Sequence, residues 1–217
     1  MSEGVHLSAR GRELRFPLPD DVFQLRVSLI DVEPPVWRRL LVAQDVTLPR
    51  LHSFLQAAMG WTNSHLHQFK IGDVCFAEPH DEFEPGPIDY RRIELNQIAP
   101  RRGSTCVYEY DFGDSWEHLI QVEDELPIDV VKGPIPRCLG GERACPPEDC
   151  GGPLGYADFL EAIRDPQHPG HDDVLAWVDP EFDPERFDVD RANRTLARYA
   201  TRPKPAPGGR TGRRRTS

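Results

Sequence analysis

No stretch of this sequence is apolar for long enough to cross a bilayer, and the opening MSEGVHLSARGRELRF has no apolar core of the kind a secretory leader needs. Membrane-spanning and exported classes are therefore set aside, and a cytoplasmic protein with no membrane partner is expected. The common nucleotide and hydrolase signatures are missing as well. There is no Gly-rich phosphate loop closing on Lys-Ser/Thr, no Gly-x-Gly-x-x-Gly, no Gly-x-Ser-x-Gly elbow and no His-Glu-x-x-His pair. Apolar residues are scarce at 38%, whereas the 22 prolines are about twice the average share. A modest core wrapped in long ordered loops is the expectation.

Charge is uneven. The chain carries −10, but residues 201–217 hold Arg202, Lys204, Arg210, Arg213, Arg214 and Arg215 with no acid, which leaves −16 on residues 1–200. An acidic body repels phosphates, so nucleic acid could be engaged only through the basic tail. The composition of that tail predicts disorder.

The five cysteines are an odd number, and Cys138, Cys145 and Cys150 fall within thirteen residues. In a reducing compartment such clusters are more often metal ligands than disulfides. Cys75 and Cys106 stand alone in strand-like stretches and read as small buried hydrophobes.

Periodicity supplies the elements. Phe23, Leu25, Val27 and Leu29 alternate with polar residues, Glu33-Pro34-Pro35 turns the chain, and 36–42 returns as a second strand. Leu48, Leu51, Leu55 and Met59 have helical spacing between the N-cap candidate Thr47 and the stop at Gly60. Residues 65–71 read as a strand, 77–90 as a Pro-rich loop and 93–98 as a short strand. Residues 107–112 and 116–122 form a hairpin around Gly113-Asp114, and 136–156 form a Cys/Pro/Gly-rich loop. Helices are expected at 155–163, 172–178 and 189–199. This order predicts an α+β domain: a mixed or antiparallel sheet with one packed helix, compatible with a β-grasp arrangement, followed by a helical section. The bounds are an extension at 1–20, the domain at 21–200 and the tail at 201–217.

Thiolates spaced C-x6-C-x4-C can supply three ligands to tetrahedral zinc, and His118, facing the same way as Trp116 on the hairpin, is the candidate fourth. A sphere of His118, Cys138, Cys145 and Cys150 would be closed and therefore structural. An open site would need Asp111, Asp114 or Asp149 as oxygen ligands and Glu148 or Asp149 as a base. A reactive Cys145 thiol beside Arg143 is a further possibility. His65-Leu-His67 shares a strand face, and His171-Asp172 is a metal-binding doublet that can equally begin a helix.

Several uncommon motifs then occur in order: Val46-Thr-Leu-Pro-Arg-Leu-His52, Met59-Gly-Trp61, His65-Leu-His-Gln-Phe69, Tyr110-Asp-Phe-Gly-Asp-Ser-Trp-Glu-His118, Cys145-Pro-Pro-Glu-Asp-Cys-Gly-Gly-Pro153 and Asp183-Pro-Glu-Arg-Phe-Asp188. With these the chain resembles the plasmid pRiA4b ORF-3-like family over residues 21–200, also described as insertion-sequence passenger proteins. The resemblance implies a family of unknown function associated with mobile elements. It groups His118, Cys145 and Cys150 as a unit, with Cys138 beside them, and implies nothing for the tail. The expected function is a zinc-stapled binding or accessory module linked to mobile elements or host regulation, for which a protein is a candidate partner. The alternative is a metal-dependent hydrolase acting on nucleotides or nucleic acid.

Overall fold

The computed structural model describes residues 21–79 and 86–200. The extension at 1–20, the basic tail at 201–217 and residues 80–85 of the Pro-rich loop lie outside the described residues.

Eight strands form one sheet: β1 (Asp21–Leu29), β2 (Trp37–Ala43), β3 (His67–Ile71), β4 (Val74–Ala77), β5 (Ile88–Asp89), β6 (Thr105–Tyr110), β7 (Trp116–Pro127) and β8 (Arg137–Glu142). Their order is β5-β4-β3-β6-β7-β1-β2-β8. Every neighbouring pair is antiparallel except β4–β5. This is the mixed α+β architecture that the strand pattern predicts.

The period-two residues explain which face is covered. Phe23, Leu25 and Val27 of β1, Leu40 and Val42 of β2, and Ile120 and Val122 of β7 all point into one apolar cluster. The helix α1 (Leu48–Met59) adds Leu48, Leu51, Phe54, Leu55 and Ala58 to it. Each fully buried side chain of this kind contributes about 1.5–3 kcal/mol. A small second cluster, Val22, Leu41 and Ile135, covers part of the opposite face.

The ends of α1 are set by its neighbours as much as by local propensity. Gly60 closes it at φ 104°, a conformation that suits glycine. Thr47 is the N-cap, but its side chain caps nothing; instead Leu48 N–H donates to Ile93 O and Thr47 bridges Glu94. That contact also corrects the strand expected at 93–98. The segment is a helical turn, α2 (Leu95–Ile98), closed by a reciprocal capping box between Glu94 and Gln97.

The helices α3 (Gly152–Arg164), α4 (His171–Trp177) and α5 (Val189–Leu196) follow the sheet. α5 lies against the edge strand β8. The Asn193 amide accepts from Cys138 N–H at 2.8 Å and donates to Cys138 O at 2.9 Å, as a neighbouring strand would. The long Cys/Pro/Gly-rich loop is shorter than expected, because β8 takes its start and α3 its end, leaving 143–151. His171 is a structural residue in α4, its Nδ1 donating to Ala162 O at 2.7 Å. Cys106 is buried, while Cys75 is partly exposed on β4.

Candidate functional site

Trp61, just past α1, links the sheet to loop 143–151. Its ring stacks on Tyr110 at 4.8 Å and meets His118 edge-on at 5.0 Å. Its Nε1–H donates to Pro146 O at 3.0 Å. Three further ties hold the loop down. Glu148 accepts from Thr62 N–H at 2.8 Å and Thr62 Oγ1 at 3.0 Å, and from the Tyr110 hydroxyl at 3.2 Å. Asp114 accepts from Gly151 N–H at 3.0 Å. Gly152 follows at φ 69°, where a Cβ would come within 2.4 Å of Asp114 O. Positive-φ residues gather here: Asn63, Asp111, Ser115, Arg143 and Asp149. Such backbone costs of order 1–3 kcal/mol each and persists only where surroundings impose it.

Of the expected zinc ligands, Cys145 and Cys150 share the loop, while His118 and Cys138 sit on different strands. His118 is fully buried on β7, and its Nδ1–H donates to Tyr108 O at 3.1 Å. That leaves the lone pair on Nε2, which has no partner. Burial holds the imidazole down at about 4, so the ring is neutral. Cys138 lies on β8, separated from β7 by β1 and β2. Three strand spacings make that about 14 Å, whereas two ligands of one zinc stand within about 4 Å of each other. Cys138 donates its thiol to Gly140 O instead. Cys145 and Cys150 are in the loop, and burial raises both thiols, Cys150 to about 12. The Arg143 guanidinium is paired with Glu185, and Cys145 stays a thiol. Among the described residues, no three of His118, Cys138, Cys145 and Cys150 bring their ligand atoms within 4.8 Å of one another.

The group that does meet that distance is His65, Asp111 and Asp149. His65 Nδ1 is 3.6 Å from Asp111 Oδ2, and its Nε2 is 3.3 Å from Asp149 and 3.8 Å from Glu148. Asp111 is fixed by Gly113 N–H at 2.9 Å, while Asp149 is largely exposed. All four were singled out in the sequence, Asp111 and Asp149 as oxygen ligands, Glu148 as a base and His65 for its strand face, with no signal joining His65 to the others. His67 turns away, to the Tyr90 hydroxyl at 3.0 Å.

Behind the loop lies a cavity of about 470 Å³. Its walls come from the end of α1, residues 144–148 and the segment 177–195, with Trp61, Trp177, Phe182 and Phe187 as aromatic faces. Arg38 also lines it, although the residue is 1% exposed. Arg38 received no role in the sequence, yet the signal was present: it has the parity of Val36, Leu40 and Val42, all buried.

Residues 21–191 match the profile of the plasmid pRiA4b ORF-3-like family. The chain belongs to that family. Within reach of it is the uncharacterized protein y4hQ of Sinorhizobium fredii (strain NGR234), 48% identical over 157 residues, which span 72% of this chain and 80% of that protein. The crystal structure of MM3350, a protein of unknown function from Methanosarcina mazei Go1, superposes with a TM-score of 0.69 at 31% identity. The match covers 80% of this chain and 98% of that one. The fold is thus shared with MM3350. No helix among the described residues is long and apolar enough to cross a membrane.

Proposed function

We propose that the chain is a binding or accessory module whose recognition site is the cavity behind loop 143–151. The observation that carries this reading is the cavity itself. At about 470 Å³ it has the size of a small-molecule site, with aromatic faces set among eight charged residues. The loop in front of it is fastened by Trp61, Thr62, Tyr110 and Asp114, so the wall is preformed. In this reading protein contacts, and not zinc, staple the loop, and a chelator leaves the melting temperature unchanged. The plasmid origin in the family's name supports a role in the biology of mobile elements.

A second reading, a metal-dependent hydrolase, is favoured by the grouping of His65, Asp111 and Asp149 at an accessible position. One pair of measurements separates the two. Ligand screening by tryptophan fluorescence is expected to give saturable binding, reported by Trp61 and Trp177. Phosphodiester and nucleotide hydrolysis assays with magnesium or manganese are expected to stay at background. Metal-dependent turnover that disappears in both His65→Ala and Asp111→Asn would replace the module by the enzyme.

A further inference from the structure

Arg38 is a cation that the fold buries without giving it a carboxylate. Its Nε donates to Ala58 O at 3.1 Å, and Nη1 donates to Trp37 O at 2.8 Å and Glu142 O at 2.9 Å. All three partners are backbone carbonyls. The guanidinium lies 3.9 Å from the centre of the Phe187 ring, which holds its plane. Cys138, Cys145 and Tyr156 lie near it but make no hydrogen bond to it among the described residues. No hydrogen bond uses Nη2. Arg38 lines the cavity, and Nη2 is the donor left over to serve it. A buried charge with no partner is expensive, and proteins normally supply one. Here the place beside Nη2 is left for something from outside.

We propose that the cavity binds a small organic anion, a carboxylate or phosphate head on an apolar body, with Arg38 Nη2 donating to the head and the aromatic walls packing on the body. This deepens the module reading and rests on it. The rim sets the size of the anion. Asp179, Glu181 and Asp183 are exposed at the mouth and, with Glu148 on the loop, repel a chain of phosphates such as nucleic acid. A single head group passes them and meets the guanidinium below. The exposed Arg186 and Arg191, whose side chains make no hydrogen bond or ion pair among the described residues, offset part of the rim charge.

The test uses the full chain and three probes of one size: benzoate, phenyl phosphate and benzyl alcohol, followed by tryptophan fluorescence and calorimetry. At least one of the two anions is expected to bind with a Kd below about 1 mM, and whichever is tighter identifies the head. Benzyl alcohol is expected to bind at least about 10-fold more weakly, since it lacks the charge-assisted hydrogen bond. Arg38→Gln should weaken the anion by about 10-fold or more and leave benzyl alcohol unchanged. Should Arg38→Gln not fold, Arg186→Gln and Arg191→Gln at the exposed rim are each expected to weaken the anion about 2-fold, and less at high salt. Benzyl alcohol binding as tightly as the anions overturns the inference and leaves the module standing. Anion binding unchanged in every variant also overturns it. No binding by any probe removes both readings.

Discussion

Among the described residues two polar regions are buried, meeting where Tyr108 of β6 pairs with His118 of β7, and they are finished to different degrees. The first surrounds His52. Its Nε2–H donates to Asn63 Oδ1 at 2.7 Å and its Nδ1 accepts from the Tyr108 hydroxyl at 2.7 Å. Gln56 donates to the same hydroxyl at 3.0 Å and accepts from Asn63 N–H at 2.9 Å, which closes the circuit. His67 stacks on His52 at 3.5 Å. The second surrounds Arg38, His118 and Tyr156. There His118 Nε2, Trp116 Nε1, Tyr156 Oη and two Arg143 nitrogens are buried with no partner. Completed networks stabilise and specify a fold; incomplete ones in a native protein ask for an explanation outside the chain. The contrast separates a closed part of the interior from the part on which the proposed ligand site rests.

Acid should act on both regions, since His118 is held down at about 4 as well, and most on the finished one, which holds two such histidines. Burial holds His52 down at about 4, and burial together with neighbouring His52 holds His67 down at about 3, against 6.5 unfolded. Both are lowered, so the unfolded chain binds more protons between these values. Stability is full above pH 6.5 and is lost as pH falls through about 4, by roughly 3 kcal/mol per histidine. Denaturant titrations across that range check the slope, and His67→Gln should flatten it. Next in size, Tyr108→Phe leaves His52 Nδ1 and the Gln56 amide without their shared partner; urea unfolding should show a loss of about 2–3 kcal/mol. Trp61→Phe keeps the ring stack but drops the bond to Pro146, costing about 1 kcal/mol and speeding protease cleavage within 143–151. The smallest effect is the sharpest contrast. Arg38→Met removes a charge buried without a counter-ion but also the donors to three backbone carbonyls, so the two effects oppose and stability should change by less than about 1 kcal/mol. A loss as large as that of Tyr108→Phe would mean that the two regions are equally finished.

The alternation in β1, β2 and β7 and the spacing in α1 made most of the sheet and its main helix legible, because one buried face imposes a period on the sequence. The strand expected at 93–98 failed because Glu94 and Gln97 cap each other locally, three residues apart. Family motifs were legible too, and they enclosed His65, Trp61 and the 145–150 loop. Partnership was not. Cys138 and His118 are close in the chain's logic but three strands apart, since β1 and β2 slot between β7 and β8. Strand order depends on long-range pairing that no local spacing encodes. His65 reaches Asp111 and Asp149 for the same reason, across three segments that only the fold brings together.

The Asn193 amide has a consequence beyond its two hydrogen bonds. It occupies the donor and acceptor of Cys138 that a passing strand would otherwise use, so the outer end of an eight-stranded sheet is stoppered by one side chain. At that position the edge is closed to pairing by a helix side chain, and no charge or proline is needed there to blunt it.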